Sequence, residues 1–310
     1  MKKNDFKIYS FYQFKKIKNP INFKSLIKEF CQFNKLKGTI IIANEGINGT
    51  IGGLDESIKI FEKELFKLNF SDLTYKYSRS KYMPFHRLKI RNKKEIITFT
   101  KKNINVEKYK GEFIEASKWN KLIDDKEVYL VDVRNDYESQ IGSFQGSIKS
   151  NTKKFKDFKK FIENNLVDIK SSKIAMFCTG GIRCEKASAY MNEMGFKNLY
   201  QLKGGILKYL EEVPKKKSKW KGECFIFDNR VSVKNEMKIG SYELCHGCRM
   251  PILDKDKLSK NYEYGVSCEN CYNKLTENKK QNLRQRNKQI KIAKKRGLYN
   301  PYIRHTPVDY

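Results

Sequence analysis

The sequence is poor in histidine. Its 310 residues include only His86, His246 and His305, and no set of two histidines and a carboxylate is apparent. An oxygen-activating iron centre of that type is therefore not expected. No apolar run approaches the roughly 20 residues that a membrane helix requires. The opening MKKNDFKIYSFYQF has basic residues but neither an uninterrupted apolar core nor a small-residue cleavage site. A cytoplasmic location without a membrane partner is the expectation. Acidic residues are also scarce, 35 against 65 Lys and Arg, for a formal net charge of +30. Lys, Asn and Ile are abundant throughout, so only a clustered excess points to a polyanionic partner. One cluster qualifies: residues 277–310 hold ten Lys/Arg and two acids.

What is present suits a globular chain of two or three domains. Residues 6–14 alternate as a strand, and Pro20 opens a helix reaching about Leu36. GTIIIANEGINGTIGG (38–53) reads as two strands joined by a polar turn; that turn is a structural element or an anion site. Ile58, Phe61, Leu65 and Leu68 form a helical core stripe. Residues 73–78 and 95–99 supply further strands. The order β-α-β-β-α-β predicts a ferredoxin-like or acylphosphatase-like α+β domain over 1–103. Across 104–213 the pattern becomes α/β: a helix at 117–124, a buried strand at 127–134, a helical stretch at 152–165, a buried strand at 173–177, a helix at 184–195 closed by Gly195, and a last strand and helix by 212. The remainder, 214–310, is a basic linker, a cysteine-bearing module and a basic helix ended by Gly297.

Eight cysteines in a chain expected to be cytoplasmic do not read as a disulfide framework. Cys31 and Cys224 stand alone, as small buried hydrophobes would. Cys178 ends a buried strand and precedes Thr179, Gly180, Gly181, Ile182, Arg183 and Cys184, where a helix begins. Loop amides and a helix N-terminus create positive potential, which favours thiolate over thiol. Such a nest holds a thiolate, a persulfide or a small oxyanion; the plainer reading is an inert cysteine in a tight turn. Arg183 follows Cys178 by five positions, one fewer than in cysteine phosphatases. Cys184 either resolves an oxidised or persulfidated intermediate or packs at the start of its helix.

Near the C-terminus, CHGC (245–248) and CENC (268–271) are two CxxC pairs separated by 19 residues. Each such turn aims two sulfurs at one ion, so Cys245, Cys248, Cys268 and Cys271 are expected to form a closed four-thiolate structural zinc site. His246, inside one pair, is the less suitable ligand. On the following helix Arg284, Arg286, Lys288, Lys291, Lys294 and Lys295 present charge suited to RNA phosphates, and Tyr299 and Tyr302 either stack on bases or pack the terminus.

The six-residue loop CTGGIR resembles the active-site loop of rhodaneses, and LVDVRNDYE (130–138) resembles the strand-loop motif of that superfamily. By that resemblance Asp132 and Arg134 shape the pocket. Taken together, CTGGIRCEKASAYM, ANEGINGT, DVRNDYE and AKKRG resemble the rhodanese-domain tRNA uridine 5-hydroxylase family (the TrhO group) over nearly the whole chain. Residues 139–151 depart from that family's Gly-His or Gly-Ala pattern. The resemblance implies a rhodanese-like catalytic domain with Cys178 as catalytic cysteine. It also implies oxygen-dependent conversion of wobble uridine in tRNA to 5-hydroxyuridine, with molecular oxygen as co-substrate. Covalent activation by Cys178 at uracil carbon 6, with Arg183 and the loop amides stabilising charge, is the expected chemistry. The residues by themselves leave open a persulfide sulfurtransferase feeding tRNA thiolation, and a zinc-stapled RNA-binding protein. They name no reductant, tRNA subset or oligomeric state.

Overall fold

The computed structural model describes residues 5–100 and 104–297. It divides into two compact units, the first running to Cys224 with 234–237 added, the second formed by 225–233 and the chain from Lys238 onward. Tyr299 and Tyr302 lie outside the described residues.

The first unit begins with β1 (Phe6–Phe14), α1 (Pro20–Phe33), β2 (Lys37–Ala43), β3 (Gly46–Gly53), α2 (Asp55–Lys67), β4 (Thr74–Ser80) and β5 (Leu88–Asn92). The strands form one sheet in the order β4-β1-β3-β2-β5, antiparallel except where β5 joins β2 in parallel. This is the acylphosphatase-like arrangement. Pro20 opens α1 as expected, and the Asn19 side chain caps it by accepting from the Asn22 amide. Ile58, Phe61 and Leu65 of α2 are fully buried against Tyr9, Phe11 and the isoleucines of β2 and β3. Strand β1 is buried on both faces. Tyr9 and Phe11 point to the helices, while Ile8 and Tyr12, of opposite parity, are covered on the other side. Phe14 shares that parity and packs against the core of the next domain.

Residues 95–99 are not the strand that their apolar pattern predicts; Leu88–Asn92 takes that place. Ile96 and Phe99 are buried because the segment is pinned between domains. Its Ile96 amide donates to Glu45, and the Phe99 and Thr100 amides donate to the Glu95 carboxylate. Phe99 stacks on Phe155 at 4.6 Å.

The second part of the unit contains β6 (Glu112–Ile114), α3 (Ala116–Ile123), β7 (Val128–Asp132), α4 (Asp136–Ser139), β8 (Gly142–Phe144), β9 (Ile148–Lys149), α5 (Phe158–Asn165), β10 (Lys173–Phe177), α6 (Ile182–Glu193), β11 (Asn198–Leu202), α7 (Gly205–Glu212) and β12 (Trp220–Gly222). Strands β6-β11-β10-β7-β9 make a parallel five-stranded sheet, the rhodanese-like layer. Buried on both faces, β7 and β10 read as continuous apolar runs. Helix α6 starts at Ile182, two residues before the predicted start, which puts Arg183 and Cys184 in its first turn.

A buried ion cluster ties the two domains. Lys186 of α6, 1% exposed, reaches both Glu45 oxygens at 2.8 and 2.9 Å and Glu95 at 2.7 Å. The turn between β2 and β3 therefore carries a carboxylate at its working position, which opposes anion binding. Its role is structural.

The second unit has short ribbons, one pairing Glu243–Leu244 with Pro251–Ile252, and α8 (Glu277–Lys295), whose N-cap Thr276 accepts from the Lys279 amide. Among the described residues no helix is long and apolar enough to cross a membrane.

Candidate active site and metal-binding module

Cys178 follows β10 at the carboxyl end of the parallel sheet, where open α/β sheets place their ligands. Its sulfur accepts the Gly181 amide at 3.1 Å. Gly181 makes this possible with φ +104, a conformation that a residue with a side chain resists. From behind, the first-turn amides of α7 at Ile206 and Leu207 donate to the carbonyls of Cys178 and Thr179 at 2.9 and 3.1 Å. A Cβ at Gly205 would stand 2.6 Å from both those oxygens, so the helix approaches only as glycine. The loop carbonyls thus face α7, and the helix amides otherwise lacking partners are satisfied.

Burial opposes ionisation of Cys178. It is outweighed by the Cys184 thiol, the Arg183 charge and the amides of Cys184 and Gly181, which bring the group down from 9.0 to about 6. Cys184 is pushed the other way, well above its ordinary value, by burial and by its hydrogen bond and charge interaction with Cys178. The pair is a thiolate beside a thiol donor. Cys31 and Cys224 are also buried, and burial pushes both up to about 12. They are inert.

Arg183 lends its charge to Cys178 from a braced position. Its guanidinium grips Glu138 of α4 at 2.6 and 2.7 Å and meets Thr179 Oγ1 at 3.1 Å. Its effect on the sulfur is that of a nearby field and of a brace on the loop. Glu138, fully buried, is a site residue that sequence reasoning passed over. It sits inside the quoted DVRNDYE, but nothing in the sequence marks its partner 45 positions away. Asp132 and Arg134 form a second buried pair at 2.6 Å. Arg134 also donates to the carbonyls of Glu138 and Gly142, and Ser143 donates to Asp132. This bracket fixes the segment bearing Glu138 and includes Ser143 from the divergent stretch 139–151. Gly180 and Ile182 complete the loop around the sulfur.

In the second unit, Cys245, Cys248, Cys268 and Cys271 bring four sulfurs within 4.8 Å of one another. The Cys248–Cys268, Cys245–Cys271 and Cys268–Cys271 sulfurs stand 3.7, 3.9 and 4.0 Å apart, against the edge of about 3.8 Å for sulfurs around zinc at about 2.3 Å. They are far beyond the roughly 2.05 Å of a disulfide. The donor set fits a closed four-thiolate metal site. His246 lies against Tyr264, with ring centroids 5.5 Å apart, outside the sulfur cluster. On α8, Arg286, Lys288, Lys291, Lys294 and Lys295 are exposed. Arg284 is engaged within the module, bridging Glu263 and Glu277 at 2.7–2.8 Å.

Comparison with known proteins is consistent with both domains. Residues 6–96 match the UPF0176 acylphosphatase like domain, and residues 115–212 the rhodanese-like domain. The tRNA uridine(34) hydroxylase of Teredinibacter turnerae is 45% identical over 295 residues, covering 95% of this chain and 92% of the relative. The chain belongs to the tRNA uridine(34) hydroxylase family. Other members so described include those of Sinorhizobium medicae, 47% identical over 293 residues (94% of this chain, 93% of the relative), and Pelagibacter ubique, 46% identical over 294 residues (94% and 96%). As a member of this hydroxylase family the chain is an enzyme, and the sulfur loop lies within its matched rhodanese-like segment.

Proposed function

We propose that this chain hydroxylates the wobble uridine, position 34, of tRNA to 5-hydroxyuridine, with molecular oxygen as co-substrate and Cys178 as the catalytic residue. The observation that carries the assignment of Cys178 is its place at the carboxyl end of β10, where the Gly181 amide donates to its sulfur at 3.1 Å; burial opposes ionisation there, and Cys184, the Arg183 charge and the loop amides outweigh it. A thiolate adds to carbon 6 of uracil, making carbon 5 nucleophilic toward an electrophilic oxygen. The Gly181 and Cys184 amides hold the negative sulfur before addition and after its release. Arg183, through Glu138 and Thr179, positions the loop, and the Asp132–Arg134 pair positions Glu138. Cys184 acts as hydrogen-bond donor to the resting thiolate.

The four-cysteine module would hold zinc through Cys245, Cys248, Cys268 and Cys271. That ion supplies a structural staple, with no open position for substrate. The exposed cations of α8, from Arg286 to Lys295, would contact tRNA phosphates. Arg284 orients the helix through Glu263 and Glu277. A cytoplasmic location follows from the substrate. The test is to incubate the full-length protein with unmodified tRNA in air and without oxygen and to weigh the nucleosides. A gain of one oxygen at uridine 34, in air only and lost in Cys178→Ala, is expected. Sulfur in place of oxygen would replace this reading with persulfide transfer.

A further inference from the structure

A cavity of about 370 Å³ lies between the two domains of the first unit, lined from β1 by Tyr12, Gln13 and Phe14 and from the rhodanese-like side by Lys110, Phe113 and Glu185. That volume is at the scale of small-ligand sites, which begin near about 300 Å³. The rings of Phe14 and Phe113 can stack on a base, and Gln13 and Glu185 can hydrogen-bond its edge; the lysines Lys110 and Lys203 share the lining with the carboxylates Asp72 and Glu107, so the cavity suits a neutral base more than a phosphate.

The cavity adjoins the sulfur loop. A Cβ on Gly181 would be 2.7 Å from the Tyr12 hydroxyl, and Gly181 supplies the amide that holds the Cys178 sulfur. Cys178 is fully covered in this conformation. On its other side the Tyr12 hydroxyl donates to Glu185 at 2.5 Å. Glu185, in the second residue after Arg183, is 7% exposed. Its carboxyl meets a phenol, whereas the fully buried Glu138 meets a guanidinium. Burial pushes Glu185 up to about 7, with the Tyr12 hydrogen bond and the Lys110 charge pulling it back and the charges of Cys178 and Asp72 adding to the rise. It exchanges its proton near neutrality, as an acid-base catalyst requires.

We propose that this cavity receives the target pyrimidine, which displaces the Tyr12 hydroxyl from Gly181, and that Glu185 is the catalytic residue that carries the proton to and from carbon 5. The proposal rests on Cys178 as the nucleophile at carbon 6. Addition forms the S–C6 bond, and the C5=C6 electron pair moves toward the carbon 4 oxygen to give an enolate. The Glu185 carboxyl gives its proton to carbon 5, leaving a saturated adduct and a carboxylate. In reverse, the carboxylate takes a proton from carbon 5, the C5=C6 bond re-forms, and the S–C6 bond breaks to return the thiolate. Neither direction consumes an oxidant. Once carbon 5 bears a hydroxyl, the same proton removal restores the double bond and releases the product.

The enzyme therefore exchanges the carbon 5 hydrogen of its target uridine with solvent in the absence of oxygen. The full-length protein is incubated anaerobically in D2O with a transcript whose uridine 34 is unmodified, and deuterium in the anticodon fragment is followed by mass. Wild type exchanges, Cys178→Ser does not, and Glu185→Gln, which keeps the Tyr12 hydrogen bond, is slower by at least about 100-fold. Undiminished exchange in Glu185→Gln overturns the role of Glu185 and leaves Cys178 addition standing. A wild-type enzyme that hydroxylates the transcript in air yet never exchanges it overturns both. Should Glu185→Gln not fold, the wild-type pH profile decides. Exchange rises as Cys178 ionises near about 6 and falls as Glu185 loses its proton near about 7; a rate still climbing at about pH 8.5 overturns the proposal.

Discussion

Six of the eight cysteines stand in two groups, and the groups differ in how sulfur is kept ionised. In the loop after β10, charge is placed on one atom by amides, a neighbouring thiol and a braced guanidinium, so Cys178 and Cys184 are driven apart in acidity. In the C-terminal module four sulfurs lie within 4.8 Å of one another, and only a shared cation would make four such adjacent thiolates tolerable. The asymmetric pair suits a nucleophile, whereas the four-sulfur cluster suits a staple. The first group depends on backbone geometry fixed by Gly181 and Gly205; the second, on the proposed reading, would depend on metal supply.

The sharpest way to break this contrast is Cys178→Ala. Hydroxylation measured by nucleoside mass should fall by about 10³-fold or more, with the metal content of the protein unchanged. Cys268→Ser, or a strong chelator, should do the reverse. Metal is lost and tRNA affinity in a filter or anisotropy assay drops by about 10–100-fold, while Cys178 still titrates near about 6. A joint collapse of both sulfur groups in either experiment would remove the distinction.

Arg183→Lys keeps the positive charge but loses the two-pronged hold on Glu138. Cys178 titration, followed by thiolate absorbance, should move up from about 6, and activity at pH 6.5 should fall about tenfold. A stability signature goes with it. Cys178 ionises at about 6 in the folded chain against an ordinary 9.0. Thiolate stabilisation is therefore present above the unfolded value and lost as pH falls through about 6. Cys178→Ala should remove that slope from the denaturation profile between these two values. The smallest effect is expected from Lys288→Ala with Lys291→Ala. tRNA affinity should drop a fewfold and the slope of log affinity against log salt should shrink by about one to two.

Much of this was legible in the sequence because the signals are local. KIAMF followed by CTGGIR shows a buried strand entering an amide-rich turn, and the paired CxxC motifs carry their own geometry. Elements whose burial has a distant cause read less well. Residues 95–99 look like a strand because they are apolar, yet Phe99 is buried in the core of the neighbouring domain and Ile97 packs against that core, with no sheet partner. Glu138, Tyr12 and Glu185 matter through partners 45 and 173 positions away. The spacing of Arg183 gives its reach toward the sulfur loop and says nothing of Glu138, the carboxylate that braces it.

Lys186 adjoins Glu185 on α6, and its ammonium is enclosed by Glu45, Glu95 and the Ile97 carbonyl. A chain severed between the halves would leave that ammonium stripped of its counter-ions and the helix of the sulfur loop without its anchor. The rhodanese-like half is thus no portable module. Its working surface is finished only by the wall that its neighbour lends.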